Sequence, residues 1–242
     1  MSLPAAERGG VRMPIPQALR GKLAAPVSAA PMQAAAADDD TVDFYFDFAS
    51  PYAYFAHGAL SALTQHHGLR LRHRPILLWA VLKELGLPTP MEQAPKRRYL
   101  EHDMVRSAAY LGLPFRLPPG FPVSGLAAAR AFHTLEAQSP PQWPQQAGAF
   151  VEAVFKAYFV DGRDIAAATI LGEVAASVGL APQQAHQATE ADEGKTGLRQ
   201  AIAEAAQRGV WGSPFWFCNG EGYFGADRLG HFERCLQLAR PA

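Results

Sequence analysis

The chain has 242 residues, of which 49% are hydrophobic and 18% are charged, a balance that predicts a packed globular protein. Its 22 Lys and Arg residues equal its 22 Asp and Glu residues, so no net charge attracts nucleic acid or an anionic membrane surface. No apolar run approaches the roughly 18 residues that a membrane-spanning helix needs. Nucleic-acid and membrane functions are therefore disfavoured.

The first 40 residues differ in composition from the rest of the chain. Residues 1–40 are rich in Ala, Pro and Gly, carry scattered basic side chains and end in three consecutive aspartates. Pro26 and Pro31 interrupt the only stretch that could form the apolar part of a secretory signal. We expect a disordered leader over residues 1–40, with a cleaved organelle leader as the alternative, and a folded domain over residues 41–242.

A strand followed at once by a helix opens the predicted domain. Residues 42–48 read VDFYFDF, and their alternation of aromatic with acidic or polar side chains is typical of a strand. Ser50 and Pro51 then occupy the N-cap and first positions of a helix. A second predicted strand, over residues 70–76, completes a βαβ unit.

Helical segments interrupted by prolines fill the middle of the chain, over about residues 78–207. Strands at residues 215–219 and 222–224 then flank the turn Asn219-Gly220, a strong hairpin signal, and a last helix follows. The order βαβ, helices, ββα predicts an α/β protein with a thioredoxin-like fold. A helical domain is inserted between the two halves at about residues 78–190.

The cysteine and histidine patterns indicate neither redox nor metal chemistry. Only Cys218 and Cys235 occur, without the CxxC spacing of a redox or zinc motif. We expect both to be small buried groups and the compartment to be reducing and cytoplasmic. The adjacent His66 and His67 would point about 100° apart on a helix, which is poor geometry for sharing a metal ion. We expect no metal site.

The segment FASPYAY, residues 48–54, is the first candidate for chemistry. A helix N-terminus directly after a strand offers free backbone N–H groups and a dipole that stabilise an anion such as a thiolate. Ser50 takes the leading position, and Ala53 stands where a resolving cysteine would be, so this site cannot perform dithiol exchange. Ser50 is either a reactive-site hydroxyl or only an N-cap.

The segment GVWGSPFW, residues 209–216, is the second candidate. A proline ahead of a buried strand cannot donate to the ladder, and a cis bond between Ser213 and Pro214 would explain it. A trans proline in an edge strand is the alternative. The backbone before a cis proline could pair with an extended peptide. By default we assign the aromatic residues of this segment to the core, although Trp211 could line a pocket.

The segment FGADRL, residues 224–229, is the third candidate. Asp227 lies at the predicted start of the last helix, where the helix dipole favours a carboxylate. Asp227 could therefore cap the helix or receive an ammonium group. Arg228 is equally compatible with a solvated role.

These segments together resemble the 2-hydroxychromene-2-carboxylate isomerases and the related kappa-class glutathione transferases, within the DsbA-like group. The resemblance runs from about residue 42 to residue 238. The segments that carry it are SPYAY at 50–54, HRPILL at 73–78, APKRRYLEHD at 94–103, RGVWGSPFW at 208–216 and FGADRL at 224–229. Each segment is weak alone, and their order and spacing make them fairly specific.

The resemblance implies an enzyme that borrows its thiol from bound glutathione and isomerises a small aromatic acid by reversible thiolate addition. It implies that Ser50 hydrogen-bonds the glutathione sulfur and that the backbone around Ser213 pairs with the cysteinyl part. Asp227 with Arg228 would hold the γ-glutamyl end. The residues expected at the cofactor are Ser50, Pro51, Ser213, Pro214, Asp227 and Arg228.

The resemblance also implies that the helical insertion receives the aromatic substrate. Lys96, Tyr99 and Asp103 recur at i, i+3 and i+7, on one helix face. Lys96 could meet a substrate carboxylate there, and a solvated charged face is the alternative. The family often has Asn at the position of Leu87 and Ser at the position of Ala226, so this chain lacks two polar contacts to glutathione.

Two other functions are compatible with the same segments. A kappa-like glutathione transferase would activate the same thiolate but release a covalent adduct. A noncatalytic thioredoxin-like module would hold an extended peptide beside the cis proline and would not need the Ser50 hydroxyl. Related enzymes are often dimers, so a homodimer is left open.

Overall fold

A computed structural model of the protein describes residues 40–239. This part of the chain contains four β-strands and nine α-helices. The strands are β1 (Thr41–Phe46), β2 (Arg70–Pro75), β3 (Phe215–Cys218) and β4 (Glu221–Phe224). The helices are α1 (Pro51–His66), α2 (Leu78–Glu84), α3 (Ala94–Leu111), α4 (Leu126–Gln138), α5 (Trp143–Phe159), α6 (Ala168–Ser177), α7 (Pro182–Ala188), α8 (Asp192–Gln207) and α9 (Leu229–Ala239). Apart from Asp40, the predicted leader lies outside the described residues.

The four strands form one mixed sheet in the order β2-β1-β3-β4. β1 pairs in parallel with β2, while β3 is antiparallel to both β1 and β4. In the register, Phe44 lies opposite His73 on one side and Trp216 on the other. This is the thioredoxin arrangement, and it confirms the fold class predicted from the sequence.

β1 lies in the centre of the sheet, and all six of its residues are buried. Helices cover both faces of a central strand of this kind, so its aromatic side chains are buried whichever way they point. The predicted strand over residues 42–48 is two residues too long at its C-terminal end. After Phe46 the chain leaves the ladder, because the Asp47 N–H donates to the Ser213 Oγ at 2.9 Å.

The helices between β2 and β3 extend past residue 190, where the predicted insertion ends, and they share one core with the sheet. The rings of Phe46 and Phe48 each lie 5.5 Å from the ring of Phe155 in α5. The buried cluster continues through α4 and α8. The insertion is therefore packed onto the thioredoxin half rather than joined to it by a linker.

The two cysteines lie in different environments. Cys218 on β3 is buried, as predicted, but Cys235 on α9 is exposed. The prediction of a buried Cys235 was wrong because Phe232 and Leu236 are the residues that α9 turns toward the core.

No helix in residues 40–239 is long and apolar enough to cross a membrane.

Candidate active site

Ser50 is the N-cap of α1. Its backbone is extended, with φ −92° and ψ 112°, and its Oγ accepts a hydrogen bond from the Ala53 N–H at 3.3 Å. Pro51 follows at the first helical position, where the absence of an N–H costs nothing because that group has no intrahelical partner. The hydroxyl therefore lies at the positive end of the helix dipole.

The proton of the same hydroxyl points toward the loop that precedes β3. The Ser50 Oγ donates to the Ser213 carbonyl oxygen at 3.0 Å, and Ser213 is joined to Pro214 by a cis peptide bond, as predicted. The Pro214 carbonyl in turn accepts the Gly225 N–H at 3.1 Å. The first and second predicted segments therefore meet at a hydrogen bond between residues far apart in the sequence.

Asp47 lies beneath this contact, and it is not among the site residues predicted from the sequence. Its Oδ1 accepts the Ala49 N–H and its Oδ2 accepts the Leu78 N–H, both at 2.9 Å. Burial raises the pKa of the Asp47 carboxyl, and the two backbone donors oppose that shift. The one signal in the sequence is an acidic residue directly after a buried strand and three residues before Ser50.

Asp227 and Arg228 lie in a 3-10 turn (Ala226–Arg228) that precedes α9, rather than in the first turn of α9 itself. Their side chains pair with each other at 2.7 Å and are 70% and 45% exposed. The turn packs against α1. Its connection to the Ser50 contact runs through Gly225, which binds the Pro214 carbonyl. Both side chains lie at the surface beside α1, accessible to a ligand.

The predicted substrate face of α3 is attached to the first turn of α1. The Tyr52 hydroxyl donates to the Asp103 Oδ2 at 2.6 Å, and burial together with that carboxylate raises the pKa of Tyr52. Arg106, which is not among the residues predicted from the sequence, donates to both Asp103 and the Tyr99 hydroxyl. Lys96 is exposed one turn before Tyr99. The α3 face is thus joined to the first turn of α1 through Asp103, whose carboxylate is already engaged in internal hydrogen bonds.

Trp211 does not lie in the core, to which it was assigned by default, because its side chain is 47% exposed. It packs against Phe224 of β4, with 4.2 Å between ring centroids. The intervening Gly212 is required, since a Cβ there would lie 2.0 Å from a Phe224 ring carbon. Two aromatic rings therefore flank the Ser213 loop at the surface. The contact between Phe224 and Trp211 could not be predicted from the sequence, because alternation in a short strand does not show which side chains meet.

The positions that depart from the resembled family are accessible. Leu87, which follows α2, is 45% exposed, and Ala226 opens the 3-10 turn with Asp227. Neither side chain can form a polar contact. Recognition of a polar ligand therefore depends on the remaining groups around Ser50 and Ser213.

This fold and this contact define a class: a DsbA-like thioredoxin fold in which a serine occupies the leading position at the N-terminus of α1 and faces a cis proline. The model of the DSBA-like thioredoxin domain family matches residues 41–237. A 2-hydroxychromene-2-carboxylate isomerase of Sphingobium xenophagum is 31% identical over 81% of this chain and 97% of its own length. The chain belongs to the 2-hydroxychromene-2-carboxylate isomerase family, within the DsbA-like proteins.

Two further similarities agree with this family. A solved structure of a 2-hydroxychromene-2-carboxylate isomerase superposes with a TM-score of 0.71 at 28% identity, and covers 82% of this chain and 95% of that one. Glutathione S-transferase kappa 1 of Caenorhabditis elegans is 37% identical over a shorter region, 33% of this chain and 36% of that protein. The resemblance stated from the sequence segments is thus confirmed.

Proposed function

We propose that this protein is a glutathione-dependent isomerase of a small aromatic carboxylic acid of the 2-hydroxychromene-2-carboxylate type, acting in the cytoplasm in the breakdown of aromatic compounds. The observation that carries the proposal is the Ser50 hydroxyl, which caps α1 and donates to the carbonyl that precedes the cis proline. The named relatives support the reaction class, and the kappa-class relative supports glutathione as the thiol.

The residues present fit a thiol ligand that the chain itself does not supply. Ser50 and Ala53 occupy the positions of a redox pair, so neither of these positions supplies a sulfur at the N-terminus of α1. A sulfur placed there would meet one hydroxyl donor and the positive end of a helix. When bound, glutathione would supply a thiolate that adds to a conjugated double bond of the substrate, allows rotation about it, and leaves again.

The chain's own groups bind and orient the two ligands. The Ser50 hydroxyl would turn its proton from the Ser213 carbonyl to the sulfur. It would then stabilise the thiolate by about 1–3 kcal/mol, as a hydrogen bond to a charged group does. The freed Ser213 carbonyl could then accept an N–H from an extended peptide. Asp227 and Arg228 would hold the γ-glutamyl end. Lys96 would meet the substrate carboxylate, and the exposed ring of Trp211 would contact its aromatic part.

Replacing Ser50 tests the proposal directly. Calorimetric titration with glutathione and an isomerisation assay would compare the unmutated protein with Ser50→Ala and with Ser61→Ala, a control on the same helix. We expect Ser50→Ala to lower the isomerisation rate about 5- to 150-fold, the equivalent of the lost hydrogen bond, and Ser61→Ala to leave it unchanged. Absence of glutathione binding in the unmutated protein would reject the proposal, and full activity of Ser50→Ala would point to a noncatalytic hydroxyl.

A kappa-type transferase is the second candidate, because one relative carries that name. It would use the same Ser50 contact but form a stable carbon–sulfur bond and consume glutathione. Measuring the glutathione concentration through many turnovers separates the two activities. A constant concentration supports the isomerase, whereas stoichiometric loss supports the transferase.

A further inference from the structure

Three residues of the candidate site and its base, Ser50, Ser213 and Asp47, close a ring of hydrogen bonds. The Ser50 Oγ donates to the Ser213 carbonyl at 3.0 Å. The Ser213 Oγ accepts the Asp47 N–H at 2.9 Å, and the Asp47 carbonyl accepts the Ser50 N–H at 2.9 Å. Asp47 is therefore bonded to both members of the contact that defines the site.

The Asp47 carboxylate ties this ring to two other segments. Its Oδ1 accepts the N–H of Ala49, the residue before Ser50, and its Oδ2 accepts the N–H of Leu78, the first residue of α2. Gly125, the N-cap of α4, packs on the same group so closely that a Cβ would lie 2.8 Å from the Oδ1. The carboxylate thus lies where four segments of the chain converge.

We infer that Asp47 is a positioning residue, which holds the Ser50 hydroxyl at the distance from Ser213 that lets its proton serve either the carbonyl or a bound sulfur. The inference rests on the proposed function for the identity of that sulfur. The geometric part of the inference does not depend on the proposed function, since every hydrogen bond of the ring lies within the chain.

Only a carboxylate satisfies the two donors. Both carboxylate oxygens accept, whereas an asparagine offers one oxygen and one NH₂ group that is itself a donor. In Asp47→Asn, either the Ala49 N–H or the Leu78 N–H would face that NH₂ group without an acceptor, and a buried unpaired donor is strongly unfavourable. The turn that carries Ser50 would therefore shift.

Asp43, four residues before Asp47, provides a matched control. It is a buried aspartate in β1, and its carboxylate pairs with Arg72 and Arg208 instead of with the groups of the ring. Asp43→Asn removes a buried charge of the same kind without touching Ser50 or Ser213. This variant therefore distinguishes a loss of stability from a change in the position of the Ser50 hydroxyl.

The test compares pH–rate profiles of isomerisation with glutathione. The variants are Asp47→Asn and Asp43→Asn, each alone and each combined with Ser50→Ala. We expect Asp47→Asn to move the acid limb to higher pH and to lower the rate near neutral pH about tenfold. Asp43→Asn should leave the profile in place. With Ser50→Ala present, Asp47→Asn should lower the rate by less than about twofold, because the hydroxyl it positions is gone.

An unmoved profile in Asp47→Asn, or an undiminished tenfold effect in the Ser50→Ala background, would overturn the inference. If Asp47→Asn does not fold, Ser213→Ala decides, because it removes only the acceptor of the Asp47 N–H. It should shift the acid limb in the same direction, and an unchanged profile would reject the positioning role.

Amide hydrogen exchange of the ligand-free protein distinguishes failure of this inference from failure of the proposed function. If the unmutated protein does not bind glutathione, the proposed function fails. Faster exchange at Ala49, Ser50 and Ala53 in Asp47→Asn than in Asp43→Asn would still support the positioning role. Equal exchange in the two variants would reject it.

Discussion

The Ser50 hydroxyl accepts one hydrogen bond from the N-terminus of α1 and donates another to the Ser213 carbonyl. Its lone pair is therefore oriented by the helix, and its proton is the part that can change partner. This division explains why a residue can be an N-cap and a site residue together. The two interpretations left open from the sequence do not exclude each other.

The environment of Ser50 should acidify a thiol placed in the same position. In Ser50→Cys, the N-terminus of α1 would lower the thiol pKa below the ordinary value of about 8.5. We expect that thiol to react with iodoacetamide at neutral pH about tenfold faster than the exposed Cys235, which serves as an internal control. Mass spectrometry of the two peptides measures both rates. Equal rates would show that this helix end does not stabilise a sulfur anion.

A buried histidine pair lies between α1 and β2. The Nε2 atoms of His57 and His73 are 3.1 Å apart, and both residues are buried. Burial lowers the pKa of His57 to about 4, and burial with the neighbouring ring lowers the pKa of His73 to about 3. Both rings are therefore neutral in the folded protein at pH 5, whereas the same residues take up protons in the unfolded chain below a pKa of about 6.5.

Stability should consequently fall as the pH drops through the window from 6.5 to 4, because protons bind only to the unfolded chain. Between pH 6 and pH 5 we expect the free energy of unfolding to decrease by about 2 kcal/mol, a little over 1 kcal/mol for each histidine. Urea unfolding of His57→Gln should show about half this decrease, and the exposed His66→Gln should show all of it. The same decrease in all three proteins would contradict the assignment.

At the scale of elements, α4 and α8 approach so closely that glycine is needed between them. A Cβ on Gly194 would lie 2.3 Å from the Thr134 Oγ1 and 2.4 Å from the Arg130 carbonyl oxygen. A Cβ on Gly197, one turn later, would lie 3.0 Å from the His133 Cβ. These two glycines let the backbone of α8 pack against α4.

Two glycine-to-alanine changes in helices should therefore have opposite effects. Gly194→Ala forces α4 and α8 apart and should lower the free energy of unfolding by about 1–3 kcal/mol. Gly58→Ala, in the open middle of α1 where a Cβ meets nothing within 4 Å, should raise it by about 0.5–1 kcal/mol. Chemical denaturation measures both. Destabilisation by both changes would show that the α4–α8 contact is not the cause.

At the scale of the whole molecule, the sheet and the helical insertion share one core. Trp143 in α5 and Trp216 in β3 are both almost fully buried within it. The rings of Phe46 and Phe48 connect the two parts through Phe155. A shared core of this kind couples the unfolding of both parts.

Unfolding should therefore be a single transition. Variants that keep only Trp143 or only Trp216, with phenylalanine at the other tryptophan positions, report the insertion and the sheet separately. We expect the two fluorescence midpoints in urea to agree with each other and with circular dichroism. Separate midpoints would indicate that the insertion unfolds as an independent domain.

The fold and the two main site segments could be predicted because their signals are local. The alternation before Ser50, the serine-proline start of α1 and the Asn219-Gly220 turn each act within a few residues. The role of Asp47 could not be predicted, since two of its partners are 31 and 166 residues away. The exposure of Trp211 and Cys235 likewise depends on which helix or strand covers them, and tertiary packing decides this.

The hydrogen bond between Ser50 and Ser213 joins residues 163 positions apart, and this has a consequence for biosynthesis. A ribosome that has made the first strand must add the entire helical insertion before the complementary loop emerges. β1 cannot gain its antiparallel neighbour until then, so the sheet closes late and through contacts of long sequence separation. A polypeptide that ends before β3 therefore lacks the Ser50–Ser213 contact, and this contact can form only after the loop before β3 has been made.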